Sequence, residues 1–120
     1  MKTLEIIQQL NPKYWLIENP QTGLLVKQDF MKGLPFVDAS YCKYGMPYRK
    51  QTRFWTNIPN LKLETCNKDC DSMIGNRHIG SCGTNGQGQG HIRRYTNRPY
   101  SKREMYAIPP RLIENIIKHL

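Results

Sequence analysis

A cluster of cysteine and histidine residues is the feature of the sequence with the most specific chemistry. Its members, spaced C-x3-C-x7-H-x3-C, are Cys66, Cys70, His78 and Cys82. Thiolates and an imidazole suit tetrahedral Zn²⁺, and two close pairs joined by a short loop let four ligands converge. The alternatives are free, partly buried thiols, or His91 as a different imidazole ligand. Because we see no signal peptide, we expect an intracellular protein, in which clustered cysteines favour a metal over disulfides.

The charge of the chain points to nucleic acid rather than to solubility alone. Its 120 residues include 18 Lys and Arg against 9 Asp and Glu, for a net charge of +9. Most of the basic residues are spread between Lys43 and Arg111, so folding would place them on a broad positive face that attracts phosphates. No apolar run approaches the length of a membrane span, so we expect no membrane partner. The residues that a metal-bearing segment would present to nucleic acid are Lys68, Arg77, Arg93 and Arg94.

The first elements predicted to position these groups are a helix and a strand. Leu and Ile recur at helical spacing in residues 3–10, and Asn11-Pro12 ends that helix. Residues 14–18 (YWLIE) form an aromatic and branched run, which is typical of a strand buried on both faces. A helix that leads into a buried strand is one step of an α/β fold.

The later elements are two strands, an irregular stretch and a helix. The strands are predicted at 36–41 and 52–56, while residues 57–101 are polar, rich in Asn and Gly and without periodicity. A helix is predicted over 109–119, because its apolar residues share one face and Pro109-Pro110 suits its start.

Three segments resemble DNA cytosine-5 methyltransferases. Residues 4–19 resemble the helix, Pro-Lys, strand and Glu-Asn-Val signature of that family, with Pro20 in place of Val. Residues 44–53 (YGMPYRKQTR) resemble its Tyr-Gly-Val-Pro-Gln-x-Arg-x-Arg segment, with the two Arg spaced differently. Residues 106–117 (YAIPPRLIENII) resemble its final Asn-Ala-Val-Pro segment and closing helix, with Tyr106 in place of Asn. The compact arrangement looks like the short forms found in phages and large DNA viruses.

The resemblance implies which residues take part in the chemistry. In this family a Cys thiolate attacks C6 of a flipped cytosine while a Glu holds N3 and the exocyclic amine, and C5 then takes a methyl group from S-adenosylmethionine. Glu18 and Asn19 match the catalytic Glu-Asn pair, although a Glu at a strand end also caps turns. Arg49 and Arg53 would steady the cytosine and its sugar-phosphate. The cofactor pocket would receive an edge from Tyr106, Ala107, Ile108 and Pro109.

Two parts of the family's machinery lie outside this sequence. The Pro-Cys-Gln nucleophile segment and the Gly-rich cofactor turn both precede the Glu-Asn signature in the family. Cys42 follows Tyr41 rather than Pro and lies in the wrong order, so we interpret it as a small, buried residue. We therefore predict a C-terminal methyltransferase portion that is inactive without a separate N-terminal half. The alternative is a non-enzymatic, zinc-bearing, DNA-binding remnant.

The predicted organisation combines these elements with the resemblance. The fold class is α/β, as the C-terminal part of a Rossmann-like methyltransferase sheet with a small irregular insert that binds zinc. Residues 1–56 would form the second half of the catalytic domain, 57–101 a target-recognition-like insert, and 102–120 a return to the catalytic domain.

Overall fold

A three-stranded antiparallel sheet forms the centre of the structure, a computed structural model that describes residues 2–75, 77–78 and 107–120. The strands are β1 (Leu16–Pro20), β2 (Phe36–Ser40) and β3 (Gln51–Thr56). Their order in the sheet is β1-β3-β2, with β3 in the middle, so β1 and β2 run parallel to each other. Strands β2 and β3 agree with the prediction to within one residue.

Helix α1 (Lys2–Leu10) packs on one face of the sheet and confirms the predicted first helix. Asn11 ends it, with a left-handed φ of 45° and an N–H that donates to the Ile7 carbonyl at 2.9 Å, as a residue just beyond a helix C-terminus does. Leu4 and Ile7 pack against the buried cluster Ile17, Met31 and Trp55.

The first strand differs from its prediction in both position and burial. It begins at Leu16 rather than at residue 14, and Ile17 is its only buried residue, so the expectation of a strand buried on both faces is wrong. The cause is a pair of side chains at the end of β3. Asn57 Oδ1 accepts from the Trp15 N–H at 2.9 Å, and Thr56 Oγ1 donates to the Trp15 carbonyl at 2.7 Å. At Trp15 these side-chain bonds take the place of the backbone bonds of the β-ladder, so regular pairing of β1 with β3 starts at the next residue, Leu16.

Helix α2 (Pro110–Lys118) packs on the opposite face of the sheet. It begins at Pro110, as the sequence predicts, because a proline in the first turn loses no intrahelical bond. Leu112 is fully buried in a cluster with Phe54 and Tyr44. Ile113 and Ile117 stay exposed, so the described residues cover only part of the apolar face of α2.

The insert begins along the outer edge of β2. The Ser40 N–H donates to the Glu64 carbonyl at 2.9 Å, which joins this edge to the extended segment that leads to Cys66. A short hairpin follows, formed by β4 (Met73–Ile74) and β5 (Arg77–His78), and Gly75 in its turn has a φ of 60°. The remainder of the predicted insert, from residue 79, lies outside the described residues. Neither α-helix in the described part of the chain has the length and apolar character of a membrane span.

Candidate active site and metal centre

Glu18 lies on β1 directly opposite Phe54 of β3, on the face of the sheet that α2 covers. The Tyr41 hydroxyl donates to Glu18 Oε1 across 3.4 Å. Burial of Tyr41, together with the negative charge of Glu18, raises the pKa of its phenol. Tyr41 therefore stays protonated at any physiological pH and remains a donor to the Glu18 carboxylate. Sequence reasoning missed Tyr41, because only the fold brings it to a residue 23 positions earlier.

Each of the three segments that carry the family resemblance places a residue or element on this face of the sheet: Glu18, Tyr44 and helix α2. Tyr41 and Tyr44 flank a 3-10 turn (Tyr41–Tyr44) after β2, and this turn packs against α2. Asn115 Nδ2 donates to the Tyr44 hydroxyl at 3.3 Å. Gly45 ends the turn with a φ of 94°, and a Cβ there would lie 2.8 Å from Arg111 Nη1. Glycine therefore both permits the left-handed backbone and makes room for the final helix.

Asn19 lies on the face of the sheet opposite to Glu18, because successive strand residues point to opposite faces. Its Oδ1 would be 2.5 Å from a Cβ added at Gly23, so the side chain packs closely on the turn after β1. From this position Asn19 can stabilise the turn after β1. Direct contact of Asn19 with a base beside Glu18 stays a prediction.

Arg53 is held within the protein by two neighbours, Asp38 and Phe36. Its Nε and Nη2 donate to the two carboxylate oxygens of Asp38 at 2.8 and 3.1 Å, and its guanidinium carbon lies 3.8 Å from the centre of the Phe36 ring. Gln21 Nε2 also donates to Asp38, at 3.0 Å. Such a bidentate ion pair between Arg53 and Asp38 fixes the plane of the guanidinium group. The Arg53 donors that these two bonds leave for a sugar-phosphate are the two N–H groups of Nη1 and the second N–H group of Nη2.

Arg49 reaches toward the insert. Its Nη2 donates to the Cys66 carbonyl at 2.9 Å, while its Nε is buried with no hydrogen-bond partner among the described residues. The side chain thus links the segment before β3 to the start of the cysteine cluster. Contact of Arg49 with cytosine stays a prediction.

The remaining predicted DNA and cofactor residues are only partly described. Lys68 and Arg77 are exposed on the insert, as contact with a phosphate backbone requires. At the start of the final segment, Ala107 is exposed, Ile108 packs against the cluster around Leu112, and Pro109 is buried. Those that lie outside the described residues are Arg93, Arg94 and Tyr106.

The cysteine cluster is assembled from the turn after β2 and the insert together. Cys66, Cys70 and His78 converge, and the fourth group beside them is Cys42, from the turn after β2. All four ligand atoms lie within 4.8 Å of one another, and Cys66 Sγ is 3.5 Å from His78 Nε2. The interpretation of Cys42 as a buried residue is confirmed, and its membership of the cluster was missed. The predicted fourth ligand, Cys82, lies outside the described residues.

The surroundings of Cys66 and His78 favour the ligand forms that a metal requires, whereas burial and hydrogen bonds with Cys66 and Cys70 raise the pKa of the Cys42 thiol and favour its protonated form. Burial disfavours the Cys66 thiolate, but hydrogen bonds from the Cys42 thiol and from the backbone of Asp69 and Lys68 outweigh it and lower the pKa of Cys66. Burial of His78, with the positive charges of Arg49 and Lys68, lowers the pKa of the imidazole and favours its neutral form. A thiolate and a neutral imidazole are the forms that bind metal.

Comparison with known proteins identifies a relative from a virus. A "Probable DNA (cytosine-5)-methyltransferase" of Frog virus 3 (isolate Goorha) is 32% identical to this chain over 125 residues. The match covers 97% of the chain and 54% of the relative, in a C-terminal part, so the chain spans about half the length of the curated relative that it matches. No protein-family model and no solved structure matches the chain. The similarity confirms the family resemblance that the three segments indicated.

Proposed function

Because this chain is related to a C-terminal part of a DNA (cytosine-5)-methyltransferase, we propose that it supplies the cytosine-binding half of such an enzyme. The observation that carries the proposal is the Tyr41–Tyr44 turn, which contacts Glu18 on one side and helix α2 on the other. Tyr41 donates to Glu18, and Asn115 of α2 donates to Tyr44, so all three elements lie on one face of the sheet. A second half would carry the nucleophile and most of the S-adenosylmethionine site.

In the proposed reaction Glu18 binds the flipped cytosine. Its carboxyl group holds the ring N3 and the exocyclic amine, which makes C6 more susceptible to attack by a thiolate from the other half. The Tyr41 hydroxyl orients the carboxylate by donating to Oε1. S-adenosylmethionine, when bound, would supply the methyl group, and residues 107–109 would form one edge of its pocket. Lys68 and Arg77 would contribute phosphate contacts from the exposed surface of the insert.

The outer edge of β1 is the surface where we propose that the second half joins the sheet. Gln21 donates its N–H to the Gln51 carbonyl at 3.0 Å. Since bonding alternates along an antiparallel ladder, Ile17 and Asn19 also bond to β3, whereas Leu16 and Glu18 direct their backbone groups outward. No strand among the described residues pairs with that outer edge. Pro20 has no N–H to leave unpaired there, which suits an edge position.

Hydrogen exchange along β1 tests this joining. In the chain alone, we expect the amide protons of Ile17 and Asn19 to exchange slowly and those of Leu16 and Glu18 to exchange fast. When an N-terminal half is bound, Leu16 and Glu18 should become protected, because a new strand would accept their N–H groups. Exchange measured residue by residue by NMR gives the result, with Ile17 and Asn19 as internal controls. Fast exchange of Leu16 and Glu18 in a purified two-part complex would show that β1 does not extend into a shared sheet.

A non-enzymatic DNA-binding role is the second candidate. It is favoured by the net charge of +9 and by the cysteine cluster, neither of which depends on Glu18. Binding of duplex DNA by the chain, with affinity that falls steeply as salt rises, is common to both roles. The two differ in methyl transfer, which only the enzymatic role requires.

A further inference from the structure

The four residues of the cysteine cluster come from separate elements of the chain. Cys42 lies in the turn after β2, Cys66 and Cys70 lie in the loop of the insert, and His78 lies on β5. A zinc ion with S ligands near 2.3 Å and an N ligand near 2.0–2.1 Å places its ligand atoms about 3.5–3.8 Å apart. The observed separations, all within 4.8 Å and 3.5 Å between Cys66 Sγ and His78 Nε2, need only small side-chain movements to meet that geometry.

Hydrogen bonds around the cluster hold Cys66 in place. The Lys68 N–H donates to Cys66 Sγ at 3.2 Å, the Cys66 N–H donates to Ser40 Oγ at 2.9 Å, and Arg49 donates to the Cys66 carbonyl at 2.9 Å. An N–H directed at a sulfur stabilises its thiolate, as the outer contacts of metal sites do. Three thiolates with one Zn²⁺ leave a charge of −1, which the cations of Arg49 and Lys68 beside His78 offset.

We propose that Cys42, Cys66, Cys70 and His78 bind one tetrahedral zinc ion, which fastens the insert to the turn that follows β2. Three sulfurs and one imidazole nitrogen in a closed arrangement suit structural zinc, whereas Mg²⁺ and Ca²⁺ take oxygen ligands. Cys42 replaces Cys82 of the pattern C-x3-C-x7-H-x3-C, which draws all its ligands from the insert. With Cys42 as a ligand, the ion joins two parts of the chain that are far apart in sequence.

The position of Cys42 gives the ion a second effect. Cys42 follows Tyr41, whose hydroxyl contacts Glu18. An ion bound to Cys42 would therefore also restrain the turn that orients Glu18. This consequence rests on the proposed function, whereas the metal site itself does not.

Metal content of the full chain, with one matched pair of variants, tests the site. The unmodified chain, purified with zinc present, should contain one zinc per chain by elemental mass spectrometry. Cys42→Ser should weaken zinc binding, measured by competition with a chromophoric chelator, by more than the roughly 100-fold typical of lost outer contacts. Cys82→Ser should leave stoichiometry and affinity unchanged. An unmodified chain that takes up no zinc would overturn the site, as would loss of zinc in Cys82→Ser with retention in Cys42→Ser.

A second set of measurements uses the unmodified chain, so that the site can be tested even if the Cys42→Ser variant misfolds. Co²⁺ in place of zinc should give the intense visible bands of a tetrahedral ion and charge-transfer absorption from three thiolates. Alkylation of the zinc-loaded chain should label Cys82 alone, and chelation should then admit label to Cys70, the most accessible of the three sulfur ligands. Octahedral cobalt spectra, or labelling of Cys70 at equal rates with and without zinc, would contradict the proposal. These assays contain no DNA or S-adenosylmethionine, so their failure is separate from a failure of methyl transfer.

Discussion

Glu18→Gln is expected to lower kcat/KM for cytosine methylation by about 10²–10⁴-fold when this chain is combined with an N-terminal half. The amide keeps the size of the side chain and accepts the bond from Tyr41. It has no proton to give to the ring N3 and no charge to stabilise one there, so the attack on C6 loses its activation. Transfer of labelled methyl groups from S-adenosylmethionine to duplex DNA measures the effect.

Glu114→Gln is the matched control for this substitution. Glu114 lies exposed on α2, the helix that covers the same face of the sheet as Glu18, and it undergoes the same loss of charge. We expect its kcat/KM to remain within about twofold of the unmodified complex, since a surface substitution away from the site has little effect. If Glu18→Gln retained as much activity as Glu114→Gln, Glu18 would be a structural strand residue and its proposed base-binding role would be wrong.

Removal of zinc should lower the melting temperature of the chain by about 15 °C. Binding at 1,000 times the Kd adds about 4 kcal/mol to the free energy of unfolding, and for a chain of 120 residues, with an unfolding entropy of about 2.1 cal/mol/K per residue, each kcal/mol shifts the Tm by about 4 °C. The insert has few apolar side chains to substitute for the ion; Ile58 and Leu61 are its buried aliphatic residues among those described. Circular dichroism melting before chelation, after it, and after zinc is added back measures the shift.

Cys66→Ser provides the control for the melting experiment. Cys66 is buried at the centre of the cluster, so the variant should melt near the chelated form and should not respond to a chelator. A Tm of the unmodified chain that chelation leaves unchanged would mean that the cluster is ordered by packing and hydrogen bonds alone. If the chain is shown to contain zinc before chelation and its Tm still does not change, the ion does not contribute to the free energy of unfolding.

Local signals in the sequence predicted the helices and most of the strands. Asn11-Pro12 marks the end of α1, Pro109-Pro110 marks the start of α2, and both effects depend on the backbone preferences of the residues themselves. The start of β1 was misplaced because it depends on Asn57, which lies 42 residues beyond Trp15. No pattern around residue 14 carries that information.

The metal cluster and the arginines illustrate the same limit. Cys42 is separated from Cys66 by β3 and the extended segment after it, so only the path of the chain along the edge of β2 brings the two together. Spacing alone favoured Cys82, the next cysteine along the chain. The engagement of Arg53 by Asp38 follows from the register of β2 on β3. The register of two strands is set by side-chain packing across the sheet. The sequence around Asp38 or Arg53 alone does not specify that packing.

Reconstitution of methyl transfer from two halves would decide whether this chain is one half of a methyltransferase. The chain would be expressed alone and together with an N-terminal half from the same genome that carries the Pro-Cys-Gln segment, and each preparation would be assayed with labelled S-adenosylmethionine and duplex DNA. We expect 5-methylcytosine only from the combined halves. A purified, stable complex of the two halves that binds both DNA and S-adenosylmethionine but forms no 5-methylcytosine would contradict the proposed function.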